Sequence, residues 1–437
     1  MESKKPKMTD QALTTTCSYW VPRKKRRCKM TANKGSSFCG AHSPPTSSPS
    51  VSDAKSGKDS FQERIPCPLD PKHTVFKRKL AKHLTICNAR DQESSLPYIV
   101  KGVNSGDDVE EQEDLDKLNQ IKLHELPDEE FYGLIDKVKA LYDKHINSSI
   151  EDLQLEHEFL KEELSRKDYG QETLRQLTQA SSLLGILQEA HQLTDHTSYV
   201  EFGAGKGQLA YFLATVLEGQ QLTHSQVVLI DRMSLRHKKD NKVANKELVQ
   251  RIRADIADLK LSALPELKKT QRTVALSKHL CGAATDLTLR CMLGDGGATT
   301  DYVLIALCCH HRCSWRSYVG RSFLQQSGIG PREFAILTKM VSWAVCGTGL
   351  SRERRKAMEK ADDQPAETNT QRLSRNEREA IGQQCKRVLD FGRLEYLRSL
   401  GYQAELKFYV PRDVTLENVV LLARPLASAR EFQNKCS

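Results

Sequence analysis

Apolar and polar positions divide this chain into a sparse N-terminal stretch, a polar middle and a densely patterned remainder. In the remainder, Phe131, Leu134, Ile135, Val138, Leu141 and Tyr142 recur at helical spacing after Pro127 and the acidic turn Asp128, Glu129, Glu130, which predicts a helix. A second helical run is expected over about 150–165. A third, over about 171–193, carries Leu174, Leu177, Leu184 and Leu187 on one face. Short β-branched runs then alternate with helical ones. They predict strands near 198–202, 226–231, 249–254, 272–277 and 301–308. Ser374 with Glu377 forms a capping box that opens a helix reaching Leu400 and stopping at Gly401. Two closing strands, near 404–410 and 418–424, are close enough to pair antiparallel. This order predicts an α/β, Rossmann-like seven-stranded domain over 170–428, with ligands at the carboxyl ends of its strands. Residues 351–373 are charged and poor in apolar side chains, as expected of an insertion.

The glycines after the first of these strands suggest a ligand. Val200-Glu201-Phe202-Gly203-Ala204-Gly205-Lys206-Gly207-Gln208 reads as a strand, a tight turn and a helix start. Its G-x-G-x-G spacing lacks the third glycine that a dinucleotide fingerprint places where Gln208 stands, and no P-loop occurs. A pyrophosphate must rest on a helix N-terminus, whereas the methionine part of S-adenosylmethionine needs a close glycine-lined backbone and a carboxylate. The methyl donor is therefore expected, held by Glu201, Gly203, Gly205 and Gly207, with Asp231 on the ribose hydroxyls and Asp255 at the tip of the third strand.

Cysteine and histidine carry the N-terminal stretch. Cys17, Cys28, Cys39 and His42 form a C-x10-C-x10-C-x2-H set; Cys67, His73, His83 and Cys87 form C-x5-H-x9-H-x3-C. Each is a complete four-ligand set for tetrahedral zinc, which would supply the folding energy that so small a core lacks. Two zinc ions are expected, in modules at 14–45 and 64–90, followed by a linker at 91–125 and a helical segment at 126–169. A third group, Cys308, Cys309, His310, His311 and Cys313, is discounted as a metal site because adjacent side chains on an extended strand point opposite ways.

Charge sharpens the division. Residues 1–90 hold 19 Lys and Arg against 6 Asp and Glu, a surplus of 13, so a net charge of +10 leaves −3 for the rest. A basic N-terminal end points to a polyanion, nucleic acid above all. With 38% hydrophobic residues the chain must include linker, and it contains no apolar run that would cross a membrane and no apolar leader. An intracellular location, nuclear and/or cytoplasmic, is expected, without a membrane partner.

Two strand ends carry concentrated chemistry: Ser277-Lys278-His279-Leu280-Cys281-Gly282 and Ala306-Leu307-Cys308-Cys309-His310-His311-Arg312-Cys313. Both would lie beside the donor's methyl group. Together with the two ligand sets, the motifs VEFGAGKGQLA, SKHLCGAATDL and IALCCHHRCSW resemble the eukaryotic tRNA 2′-O-ribose methyltransferases that modify the fourth nucleotide of the acceptor stem. The resemblance implies S-adenosylmethionine as donor, the acceptor stem of glycine- and proline-type tRNAs as substrate, and an acceptor site at Lys278, His279, His310 and His311. His279 or His310 would be the base, and Lys278 would lower the hydroxyl's pKa. Two rival readings are a base methyltransferase, opposed by the lack of an [DN]-P-P-[FYW] motif, and a non-catalytic RNA-binding protein, opposed by the intact donor motif.

Overall fold

The computed structural model describes residues 16–21, 26–28, 31–32, 36–39, 63–87, 96–106, 118, 120–233, 235, 238–293, 300–344 and 372–426. The chain divides into two compact units, Met1–Ala89 and Arg90–Ser437.

In the first unit, β1 (Trp20–Val21) and β2 (Arg26–Arg27) pair antiparallel. The pair β3 (Arg64–Cys67) and β4 (Asp70–Phe76) leads to the short helix α1 (Leu80–Ile86). Val75 is buried beside Cys67 and Cys87, and few other apolar side chains support them. A core this small holds only with staples.

The second unit is built on one sheet. Its strands are β5 (Glu151–Asp152), β6 (Thr197–Phe202), β7 (Gln226–Ile230), β8 (Val249–Ile252), β9 (Arg272–Cys281), β10 (Tyr302–Cys308), β11 (Tyr402–Phe408) and β12 (Val419–Pro425). Their order is β5-β11-β12-β10-β9-β6-β7-β8, with β12 antiparallel to both of its neighbours. The expected seven strands are all present, but the sheet has eight. The extra strand is the two-residue edge β5, paired parallel to β11 through Lys407↔Glu151 and Phe408↔Asp152. It lies where a helix was expected over 150–165; only 158–164 is helical.

The central strands are buried on both faces, and alternate residues serve different cores. Tyr199, Leu229 and Leu276 join α2 (Gln171–Glu189) and α3 (Gln208–Gly219) on one side. Val200, Val228 and Ala275 join α4 (Ala283–Leu293) and α5 (Arg375–Ser399) on the other. The capping box at the start of α5 is formed: Glu377 N donates to Ser374 Oγ at 3.3 Å and Ser374 N to Glu377 Oε2 at 2.8 Å.

Part of the expected linker is docked. Val100 N donates to Asp258 O at 2.8 Å, Gly102 N to Asp258 Oδ1 at 2.7 Å, and Asn104 Nδ2 to the carbonyls of Ile256 and Leu259. Tyr98 and Ile99 also pack on the core, but two adjacent residues set up no periodicity that patterning could detect. The insertion expected at 351–373 lies, up to residue 371, outside the described residues.

Candidate active site and metal centres

The glycine turn sits at the carboxyl end of β6, where the sheet's strand order reverses, the position at which open α/β sheets bind ligands. Gly203 and Gly207 adopt left-handed backbone conformations, at φ 64° and 68°. A Cβ at Gly203 would stand 2.9 Å from Leu280 Cδ1, and one at Gly207 would stand 2.4 Å from Asp240 Oδ1. Asp231 fixes the turn from the next strand: Gly205 N donates to its Oδ2 and Met233 N to its Oδ1, each at 2.7 Å. Arg251 grips the other side, donating to Gly205 O at 3.0 Å while paired with Asp240 at 2.8 Å. Both members of that pair are largely buried.

Glu201 lies beneath the turn. Its Oε2 accepts from Ala210 N at 3.0 Å in the first turn of α3, and burial pushes its carboxyl up to about 8. Asp255 Oδ1 caps its own turn by accepting from Ala257 N at 3.1 Å, and the exposed Arg232 stands 3.7 Å from its other oxygen. The three carboxylates named from sequence thus stand along the carboxyl rim of the sheet, at the ends of the neighbouring strands β6, β7 and β8, with Glu201 buried below it. Each also has a bond that shapes the rim itself. Because Gly207 packs directly on the Asp240–Arg251 pair, Gly207→Ala is expected to cost about 1–3 kcal/mol and to lower Tm by several degrees in a thermal melt.

Strand β9 delivers the next residues. Ser277 Oγ donates to Phe202 O at 2.8 Å, tying the end of β9 to the glycine turn. Lys278 is 6% exposed; its Nζ donates to Gln176 O at 3.0 Å and to Gln176 Oε1 at 2.5 Å. Burial pulls this ammonium down to about 8, with Glu201 and Glu172 opposing the shift and Lys239 adding to it. His279 Nε2 lies 3.2 Å from the same Gln176 oxygen. That oxygen only accepts, so Nε2 carries the hydrogen and Nδ1 is left as the proton acceptor. Burial by its neighbours, reinforced by Lys278, holds this imidazole at about 4 although its ring edge is exposed.

The two remaining histidines differ. His311 is exposed, whereas His310 is fully buried, its Nε2 2.6 Å from Asp390 Oδ1. A histidine with no surface cannot touch a substrate, so His310 acts through the network behind the loop. There Arg393 is bidentate to Asp286, at 3.1 and 2.9 Å, and reaches Asp390 Oδ1 at 3.1 Å and Cys313 Sγ at 3.1 Å. Burial alone would raise the pKa of Asp390; His310, Arg387 and Arg393 outweigh it and hold the carboxyl at about 2. This contribution to stability is complete above the ordinary aspartate pKa of 3.8 and is lost as pH falls toward 2. Arg393→Ala would leave the buried carboxylate of Asp286 without its cation, while Asp390 keeps His310 and Arg387, at a cost of about 3–5 kcal/mol, visible as a large fall in Tm.

Three members of each N-terminal set come together. The sulfurs of Cys17, Cys28 and Cys39 lie within 4.8 Å of one another, as do the ligand atoms of Cys67, His83 and Cys87. Cys28 and Cys39 are 4.0 Å apart, Cys67 and Cys87 3.6 Å, and His83 Nε2 is 3.2 Å from Cys67 Sγ. Sulfurs on one tetrahedral zinc, bonded at ~2.3 Å, stand about 3.8 Å apart, so these donors fit that ion. His42 and the side chain of His73 lie outside the described residues.

Against known families, residues 178–424 match the model described as Methyltransferase TRM13. The chain belongs to the TRM13 methyltransferase family. Residues 15–43 match the CCCH zinc finger in TRM13 protein, and residues 64–88 the U11-48K-like CHHC zinc finger. Relatives named tRNA:m(4)X modification enzyme TRM13 homolog include one from Mus musculus, 32% identical with 94% of each chain covered, and one from Homo sapiens, 31% identical with the same coverage. The Scheffersomyces stipitis enzyme TRM13 is 34% identical over 91% of this chain and 98% of its own. Among solved structures, a Geobacter sulfurreducens SAM-dependent methyltransferase in complex with S-adenosyl-L-homocysteine overlaps at 15% identity, covering 63% of this chain and all of that one, with a TM-score of 0.23.

In this TRM13 member the residues that sequence reasoning missed are supports: Gln176, Asp240, Arg251, Asp286, Asp390 and Arg393. A signal existed for the last two. On α5, Lys386, Asp390 and Arg393 recur at helical spacing on the same stripe as the buried Leu389, Leu394 and Leu397. Charges on a core stripe are costly unless they pair with one another or with a neighbouring element.

Proposed function

We propose that this chain transfers a methyl group from S-adenosylmethionine to the ribose 2′-hydroxyl of the fourth nucleotide of the tRNA acceptor stem, in tRNAs of the glycine and proline type. The observation that carries the reading is the close approach of donor turn and acceptor strand. A Cβ at Gly203 would meet Leu280 at 2.9 Å and the carbonyl of His279 at 3.8 Å. A donor lying on the turn therefore has Lys278 and His279 as its neighbours on the acceptor side. The names of the relatives support tRNA as the substrate.

The hydroxyl oxygen attacks the sulfonium methyl carbon as the carbon–sulfur bond breaks, and the hydroxyl proton must leave. His279 Nδ1 takes that proton, Gln176 holds the ring's orientation, and the Lys278 ammonium stabilises the developing alkoxide. His310 and Asp390 hold the loop on which His311 approaches the RNA. The N-terminal fingers, each closed on one zinc ion, supply RNA contacts: Tyr19 and Trp20 are 40% and 55% exposed, suited to stacking, and Arg78 and Lys79 stand exposed on the second module. No helix among the described residues is long and apolar enough to cross a membrane; a tRNA substrate would suit a nuclear and/or cytoplasmic enzyme.

Incubation with labelled donor and total tRNA, followed by nucleoside analysis, tests the reading. A 2′-O-methylnucleoside at position four is expected; a methylated base would favour base methylation instead. The pH profile tests Lys278. If its cation is required, activity falls as pH rises through about 8, where this buried ammonium loses its proton. Lys278→Arg should move that limb upward, because a guanidinium stays charged.

A further inference from the structure

We propose that the carboxyl ends of β9 and β10 form a third thiolate metal site, with one zinc ion held by Cys281, Cys308 and Cys309. The three sulfurs lie within 4.8 Å of one another, and those of Cys281 and Cys309 approach to 3.3 Å. The pair is closer than the 3.6 and 4.0 Å between sulfurs in the two fingers, and the set, from 3.3 Å to at most 4.8 Å, brackets the ~3.8 Å of sulfurs on one zinc. It suits ligands of a single ion at ~2.3 Å bonds. In an iron–sulfur cluster of the 4Fe–4S type each thiolate binds a different iron, so its thiolates do not share one metal atom.

The objection from alternating side chains applies to an extended strand, and the chain leaves that conformation at Cys309. With φ at 53°, Cys309 is left-handed and brings its thiol back beside that of Cys308. This conformation costs a residue other than glycine about 1–2 kcal/mol, which ligation of the thiol would offset. The third ligand arrives through sheet register: Cys281 is the partner of Cys308 across the parallel β9–β10 pair. The loops beyond are in backbone contact, since a Cβ at Gly282 would stand 2.5 Å from the backbone of Arg312.

No other histidine or cysteine among the described residues joins the cluster of ligand atoms within 4.8 Å of one another; His310 pairs through Nε2 with Asp390, Cys313 with Arg393, and His279 through Nε2 with Gln176. Among the described residues the protein thus gives three ligands, and the fourth tetrahedral position is left for water or an incoming oxygen. The ion clips together the two loops that carry Lys278 and His279 on one side and His310 and His311 on the other. This site is independent of which nucleotide is methylated.

Zinc analysis of the full-length chain tests the proposal. Three ions per chain are expected, and Cys309→Ser should lose one while donor affinity, measured by calorimetry, stays unchanged as proof of folding. Differential alkylation of the unsubstituted chain adds an arm that needs no variant: Cys281 and Cys309 should react with iodoacetamide only after treatment with a chelator. Two ions in the unsubstituted chain, an unchanged zinc content in Cys309→Ser, or a Cys281–Cys309 disulfide in the protein as isolated, before any chelator, would each overturn the assignment.

Discussion

Asp231→Ala will lower affinity for the methyl donor by about 100-fold or more while tRNA binding persists. Both oxygens of this carboxylate accept backbone N–H groups at 2.7 Å, from Gly205 and Met233. Hydrogen bonds to a charged group contribute ~1.5–3 kcal/mol each, and about 2.7 kcal/mol already corresponds to 100-fold in binding. The alanine variant removes both bonds and any bond to the donor's ribose, so the turn loses its shape and its ligand together. Gly203→Arg should act as strongly for a steric reason: its φ of 64° disfavours any side chain, and Leu280 already stands 2.9 Å from the position of a Cβ. Calorimetry with the donor and a gel shift with tRNA measure the two functions separately. Joint loss in a protein that stays folded would show that donor and RNA sites are one.

Removing residues 1–90 is expected to raise the Michaelis constant for tRNA on the order of 100-fold and to flatten its dependence on salt. An A-form acceptor stem has a deep, narrow major groove that side chains cannot read, so recognition rests on phosphates, 2′-hydroxyls and the end of the stem. Each phosphate contact given up reduces the salt slope by about 0.9. The removed segment carries a surplus of 13 positive charges, and the remainder is left at −3. The second unit has its own sheet and cores, so it is expected to fold after truncation and to bind the donor as before. An unaltered Michaelis constant with the same salt slope would mean that the second unit holds the duplex unaided.

Much of the second unit could be read from sequence because periodicity and local chemistry agree there. The strands β6 to β12 lie within a few residues of their predicted places, and Ser374 with Glu377 marked the start of α5 correctly. The misses share a cause: the deciding partner is far away in sequence. Glu151 and Asp152 have no preference for a strand, and they form one only because the edge of β11 offers them backbone partners. The docking of 96–106 depends on Asp258 and on carbonyls more than a hundred residues later. Cys308 and Cys309 looked incompatible until the backbone torsion at Cys309, which no residue pattern announces, placed their thiols together. His310 read as an acid–base candidate, yet it is buried against an aspartate on a helix 80 residues further on.

That last distance has a consequence for synthesis. The charges that secure the acceptor loop, Asp390 and Arg393, lie 80 and 107 residues beyond His310 and Asp286 respectively. A nascent chain that has already exposed the glycine turn and both acceptor motifs still lacks the helix that neutralises Asp286 and receives His310. At roughly 5–20 residues per second, translation leaves that interval open for several seconds. During it, the cysteines at the tips of β9 and β10 have neither metal nor packed surroundings and depend on the reducing capacity around the ribosome to stay unpaired.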